Sequence, residues 1–253
     1  GTAGKIAKWI NTSTVGDSVI SESAAGVVAF SGYGAGRLVT DASGNITAST
    51  LGGGAFEEIT ESGKTGIRRT GANANFYGDI GTEAVDLSYS GASSAFYGAT
   101  GDYSTAMGHG TEASESYSTA MGHGTEASGQ FSTAMGGSTT ASGSYSTAMG
   151  ISTSANGQFS TAIGRHTIAS DYDSLVIGQF NLSGSTVTNS ATAFNVLNTA
   201  FVIGNGVDSS NRSDAFKVLF NGNTTIGNNL IAGGNVTATG DVIAYSDARV
   251  KEN

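Results

Sequence analysis

The chain has 253 residues, 39 of them Gly, with no Pro, no Cys and a formal net charge of −9. Average usage is roughly 5% Pro, and closely stacked strands are what exclude it, because each Pro deletes a ladder hydrogen bond. The lack of Cys excludes a disulfide framework, a thiolate metal site and a Cys nucleophile, and is compatible with an extracellular location. The acidic balance and 11 scattered Lys and Arg exclude a nucleic-acid face. No apolar run approaches the roughly 18 residues of a membrane span, so no membrane insertion is expected.

Ala is by far the commonest hydrophobic residue, and large aliphatics are too thinly spread for a compact core in proportion to the length. Charged residues, at 12%, are too few for a charged disordered chain. A slender, repetitive, β-rich body stabilised by assembly remains. With neither initiator Met nor signal peptide, the chain reads as a mature fragment or a piece of a longer one.

In chain order, residues 1–53 read as an N-terminal β segment. GTAGKIAKWINTSTVGDSVI at 1–20 is Thr/Ser-rich without helical period, and it resembles the opening of repeat units in tail-fibre proteins. RLVTDASGNITAS reads as strand, turn at Asp41 to Gly44, strand. Residues 54–88 form a short β module in which AFEEIT and TGIRRT pair.

Residues 89–180 are governed by a repeat of fourteen. Aromatic residues recur at Tyr103, Tyr117, Phe131, Tyr145 and Phe159, each followed by Ser, Thr and Ala. Met107, Met121, Met135 and Met149 come next, continued by Ile163 and Ile177; then Gly108, Gly122, Gly136, Gly150, Gly164 and Gly178 close each strand. Thr111, Thr125, Thr139, Thr153 and Thr167 lead Ala113, Ala127, Ala141, Ala155 and Ala169 by two residues. Five full copies run from 103 to 172, a worn copy precedes them at 89–102, and a partial copy follows at 173–178.

Identical residues at a fixed period mean stacked coils, each lying on the one before. Fourteen residues span about 46 Å when extended, so a coil with two turns leaves two short strands back to back and a thin interior. Ala, Gly, Ser and a single Met or Ile are expected inside, with Met107 to Met149 a core column. A flat coil buries too little to offset its ordering entropy, so a homo-oligomer is expected, with three-fold closure the natural tube. The period excludes hexapeptide helices, and the Gly-Gly-x-Gly-x-Asp of calcium-binding nonapeptide rolls is absent.

YSTAMG…TxASG at this period resembles the head repeat of trimeric autotransporter adhesins, the YadA-like or haemagglutinin-type β-roll, which also occurs in phage tail fibres. The resemblance implies an all-β, trimeric, left-handed parallel β-roll that presents an adhesive surface. The family often has Asn where this chain has Tyr or Phe, so the aromatic column is a local feature.

Residues 181–245 read as a hairpin and a shaft of intertwined strands: AFKVLFNGNTTIG places an Asn221-Gly222 turn between two strands, and NNLIAGGNVTATGDVIA continues in short β segments. SDARVKEN at 246–253 is charged and helix-compatible. It resembles the junction of the intramolecular chaperone of endosialidase-type tail spikes and fibres. That resemblance implies Ser246 as nucleophile and Lys251 as base of a self-cleaving dyad, with Asp247 and Arg249 in support and Tyr245–Ser246 as the scissile bond. A Ser hydroxyl needs a neighbouring base, and a desolvated Lys can serve. The chaperone domain is incomplete in this chain, which should not cleave.

Among candidate sites, the aromatic column offers sugar stacking or, more plainly, rings stacked on one another. Its members Tyr103, Tyr117, Phe131, Tyr145 and Phe159 are the binding candidates, with His109 and His123. Ice-binding solenoids also show ranks of Thr, but a Thr-x-Thr pair is absent from these repeats. His109, His123, Glu112 and Glu126 have zinc-ligating chemistry, yet Gly137 ends the His column; a solvated turn is the expectation, with no metal and no cofactor. Neither a Ser-His-Asp set nor a phosphate loop stands out, so activity on an external substrate is not expected. The functional expectation is a homotrimeric tail fibre of a phage or contractile injection system. Its partners would be its own copies, tail or baseplate proteins and a host-surface glycan or protein. An autotransporter adhesin head and a purely structural spacer are the alternatives.

Overall fold

The computed structural model describes residues 55–91 and 94–230 with their side chains and, before them, the backbone of five strand segments between 5 and 48. In that N-terminal region Lys5–Asn11 pairs antiparallel with Thr14–Glu22, which pairs with Val28–Phe30, and Leu38–Thr40 pairs with Ile46–Ala48. The turn expected at Asp41 to Gly44 and the shaft and junction beyond 230 lie outside the described residues.

The body is an all-β solenoid of fourteen-residue coils. In the coil beginning at Thr119, the strand Thr119–His123 is followed by a turn, the short strand Glu126–Ala127 and a second turn. Each long strand lies parallel on its counterpart one coil on, Thr on Thr, Ala on Ala, Met on Met and Gly on Gly. The short strands stack likewise. Two sheets result, with the six-stranded one built only of short strands. The twelve-stranded one begins with the antiparallel pair Phe56–Glu61 and Lys64–Arg69. It ends in the antiparallel strands Asp214–Leu219 and Thr224–Ile226, joined around Asn221-Gly222 as expected.

The interior is nearly all alanine. Ala106, Ala120, Ala134, Ala148 and Ala162 point inward from the long strands and Ala113, Ala127, Ala141, Ala155 and Ala169 from the short ones, all fully buried. The Thr111 to Thr167 column is buried beside them, and larger residues enter only where the coils change, at Ile80, Val176 and Val202.

The Met column is not core. Along a strand, alternate side chains face opposite ways, and inward Ala106 therefore turns Met107 outward. Met107 and Met149 are 38% exposed and Ile163 39%. The inward position of the long strands is Ala in every regular coil, and a larger residue stands in it only toward the end, at Val176 and Val202. The Gly column also does not close the strands. Gly108 precedes the last strand residue, His109, and holds φ +124°, where an added Cβ would sit 1.9 Å from the Gly122 carbonyl oxygen.

The worn copy has a different frame. Tyr89 pairs with His109, not with the aromatic column, and Val85 with Thr105. Extra residues between Tyr89 and Gly98 lengthen that coil and displace Tyr89 from the position a strict period assigns it. Parallel stacking also begins earlier, with Ile67 on Val85, and runs later, with Leu175 on Phe201. Residues 180–198 form an excursion in the last coil.

Both ends are sealed by polar side chains. At the start, buried Arg68 donates to Asp86 (3.1 Å), Glu61 (2.9 Å) and the Gly78 carbonyl (2.8 Å), and lies over the Tyr77 ring at 5.0 Å. At the finish, the Asn181 amide pairs with both N–H and C=O of Ile168 at 2.8 Å, replacing the next rung of the short-strand sheet. Such caps keep an open solenoid end from recruiting further strands.

Candidate interaction surfaces of the roll

The two sheets present unlike faces. The long-strand face carries three outward columns: Thr105, Thr119, Thr133, Thr147 and Thr161; then Leu87, the four Met, Ile163, Ile177 and Ile203; then the strand ends. The middle column is an unbroken ridge of large aliphatics in register. The short-strand face carries Glu112, Glu126, Thr140 and Ser154, which are polar, before the column ends in Ile168.

The aromatic column forms a ladder along the edge where each long strand begins. Tyr103, Tyr117, Phe131 and Tyr145 each stack on the next ring, Phe159 last, at centroid distances of 4.7–5.0 Å, and Tyr172 closes the series edge-on to Phe159 at 5.5 Å. The rings are 39–51% exposed. Their faces cover one another, so only ring edges and the Tyr hydroxyl ends are presented, and a sugar laid on a ring face has no free face to use within the series. All five residues have φ between 57° and 60°. This is left-handed backbone, which Gly and Asn adopt far more readily than an aromatic. Glu83 and Asp173 hold the same conformation at the equivalent positions beyond the two ends.

His109 and His123 stack at 5.1 Å, with Tyr89 tilted over His109 at 5.5 Å and the Arg69 guanidinium over Tyr89 at 5.1 Å. They stand at the far ends of the long strands, whereas Glu112 and Glu126 stand on the short strands beyond a turn. No group of three or more His, Cys, Asp or Glu among the described residues could hold a metal ion. Burial, and secondly the Glu126 carboxylate one coil on, push the Glu112 carboxyl above its usual range. At the N-terminal end, the hydrogen bond from Lys64 at 2.8 Å, helped by the Thr82 N–H, holds Asp102 below its usual range.

Ser246, Asp247, Arg249, Lys251 and the Tyr245–Ser246 bond lie outside the described residues. Sequence reading missed the left-handed backbone under the aromatics, although the Asn preference of the resembled repeat was the available signal. It also missed the apolar side chains displayed by the 180–198 excursion: Leu182, Val187, Phe194, Val196 and Leu197 are all exposed. No repeat or pairing pattern marks them.

Among the described residues no helix is long and apolar enough to cross a membrane. No curated protein and no solved structure matches the chain. A family model described as the YadA head domain repeat (2 copies) matches residues 99–125, 127–153 and 155–181. Each match spans about two of the observed coils, and over this stretch the chain carries YadA-type head repeats.

Proposed function

We propose that the chain is the subunit of a homotrimeric, surface-exposed attachment fibre. Three rolls turn their long-strand faces to a common axis and present their short-strand faces to a cell surface. The observation that carries this reading is the exposed aliphatic ridge. Burial stabilises by about 25 cal/mol per Å² of apolar surface; an alanine interior supplies little of it, and the ridge is an unbroken column of large aliphatic side chains along the regular coils. A second copy brings the same ridge at the same spacing. Attachment follows from repetition: every coil offers a similar contact on three chains, and linked weak contacts gain avidity without any strong single site. The protein acts by contact and not by chemistry on an external substrate.

The carrier we favour is the tail of a phage or a related contractile injection machine. This rests on the resemblance of SDARVKEN to a chaperone junction, with Ser246 and Lys251 as the cleaving pair. An autotransporter-type adhesin head fits the YadA-type repeats equally well. A longer natural polypeptide that cuts at Tyr245–Ser246, and stops cutting as Ser246→Ala, supports the tail; one that stays intact and continues into heptads and a barrel supports the adhesin.

Light scattering tests the assembly: three times 25.2 kDa is expected, and a monomer mass overturns it. Binding of the purified chain to candidate host cells tests attachment. Failure on every host surface would leave the chain a spacer shaft.

A further inference from the structure

Within one chain, ring stacking no more than offsets the strain of aromatics on left-handed backbone, which Asn or Gly adopts more readily. We infer that the aromatic ladder is a seam between subunits. It packs against the opposite edge of a second copy's long-strand sheet, the column of His109, His123, Gly137, Ile151 and Arg165. The inference rests on the three-fold reading above and assigns its lateral contacts.

Position supports it first. In each coil the aromatic stands just before the long strand and the second column at that strand's last residue, as Tyr145 and Ile151 flank Thr147–Ile151. When three sheets face one axis with strands running across it, the start of each strand meets the end of the neighbour's. This is the head-to-tail contact of a closed ring. Period comes second. The ladder repeats at the spacing of stacked strands, about 4.8 Å. A partner that engages every rung must repeat at that spacing too, and another roll of this chain does.

Chemistry level by level is third. Closure without axial shift sets Tyr103 against His109, Tyr117 against His123, Phe131 against Gly137, Tyr145 against Ile151 and Phe159 against Arg165. The Gly leaves room for a ring. Ile151, at 58%, is the most exposed large apolar side chain of the regular coils. Arg165, whose guanidinium already lies over Phe180 of its own chain at 5.0 Å, brings a cation to the level of Phe159.

The chain has no Cys, so Tyr145→Cys and Ile151→Cys can be combined in the full chain without background. Within one chain these positions are about 20 Å apart along an extended strand, beyond a short bismaleimide. The oligomer is sized by light scattering, treated with the reagent and run denatured. A covalent trimer from the double variant, and none from either single variant, is expected. A trimer that the double variant leaves uncrosslinked overturns the seam. So does crosslinking by Tyr145→Cys alone, or free labelling of that Cys by a bulky maleimide in the trimer, as a receptor-facing column would allow. A monomer mass for the unaltered chain overturns the three-fold reading beneath it. If the first pair lowers trimer yield, Tyr117→Cys with His123→Cys reads the same seam two coils away.

Discussion

Two adjacent glycines separate conformational need from mere smallness. Gly136 has φ +123°, and a Cβ there would lie 2.0 Å from the Gly150 carbonyl oxygen; Gly137 has no positive φ and nothing within 4 Å of its Cβ position. Gly136→Ala places an L residue in sparsely allowed backbone, which costs about 1–3 kcal/mol. The overlap must also push neighbouring coils apart along their hydrogen-bonded ladder, and overpacking of that kind adds about 1–3 kcal/mol. The expected loss is about 3 kcal/mol or more, and at about 2–4 °C per kcal/mol for a chain of this size that is about 6–12 °C in Tm. Within a single roll, Gly137→Ala should be neutral or gain up to about 1 kcal/mol, since Gly in a strand carries excess unfolded-state entropy. Thermal melts followed by circular dichroism read both. Equal melting temperatures for the two variants would refute the assigned close approach of the coils.

Two further substitutions test the interior and the short-strand face. Thr139 is fully buried and its hydroxyl has no hydrogen-bond partner among the described residues, so Thr139→Val removes an unpaired polar group and should stabilise by about 1 kcal/mol in denaturant melts; a comparable loss would show that the hydroxyl is satisfied in solution. Folding favours the protonated form of Glu112, whose usual value is 4.5. Its stabilising contribution is therefore present below that value and disappears as pH rises through the raised one. Glu112→Gln should flatten this fall in Tm and leave the variant the more stable at pH 7. Asp102 works oppositely: with its carboxyl held below 3.8 by Lys64 and then by the Thr82 N–H, its contribution is present above that value and lost on acidification, and Lys64→Met should shrink that step to the part the Thr82 N–H supplies.

The coil, its period and its two strands were legible because each rung repeats the same residues, and repetition needs no side-chain detail to read. The orientation of the rungs was less legible. TAMG fits a strand with either Ala or Met inward, and only the folded coil shows Ala to be the buried one. The frame of the coil containing Tyr89 failed for a related reason: an insertion moves every later residue, and the aromatic of the strand end looks in sequence like the aromatic of the turn. End caps such as Arg68 and Asn181 act once each, so no periodicity announces them. Ring stacking was expected and is observed; the left-handed backbone beneath it follows from turn geometry that identical residues do not reveal.

The aromatic ladder can be weighed at Phe131, which stacks on Tyr117 at 4.7 Å and on Tyr145 at 4.8 Å. Two such contacts stabilise by about 0.5–1.5 kcal/mol each, while left-handed backbone at a bulky residue costs about 1–3 kcal/mol. Within one chain the two nearly cancel, so Phe131→Asn should leave the isolated roll about as stable as before. In the assembled fibre the balance differs. Covering the ring's exposed 39% with a neighbour recovers about 1 kcal/mol, a fraction of the 1.5–3 kcal/mol for full burial of such a side chain. Three copies lose that together in Phe131→Asn, which should weaken trimer association by about a hundredfold at 1.4 kcal/mol per tenfold. Sedimentation equilibrium over a concentration series measures this directly. An unchanged dissociation constant would place the column on the outside of the fibre, with ring stacking within the chain as what offsets its strain.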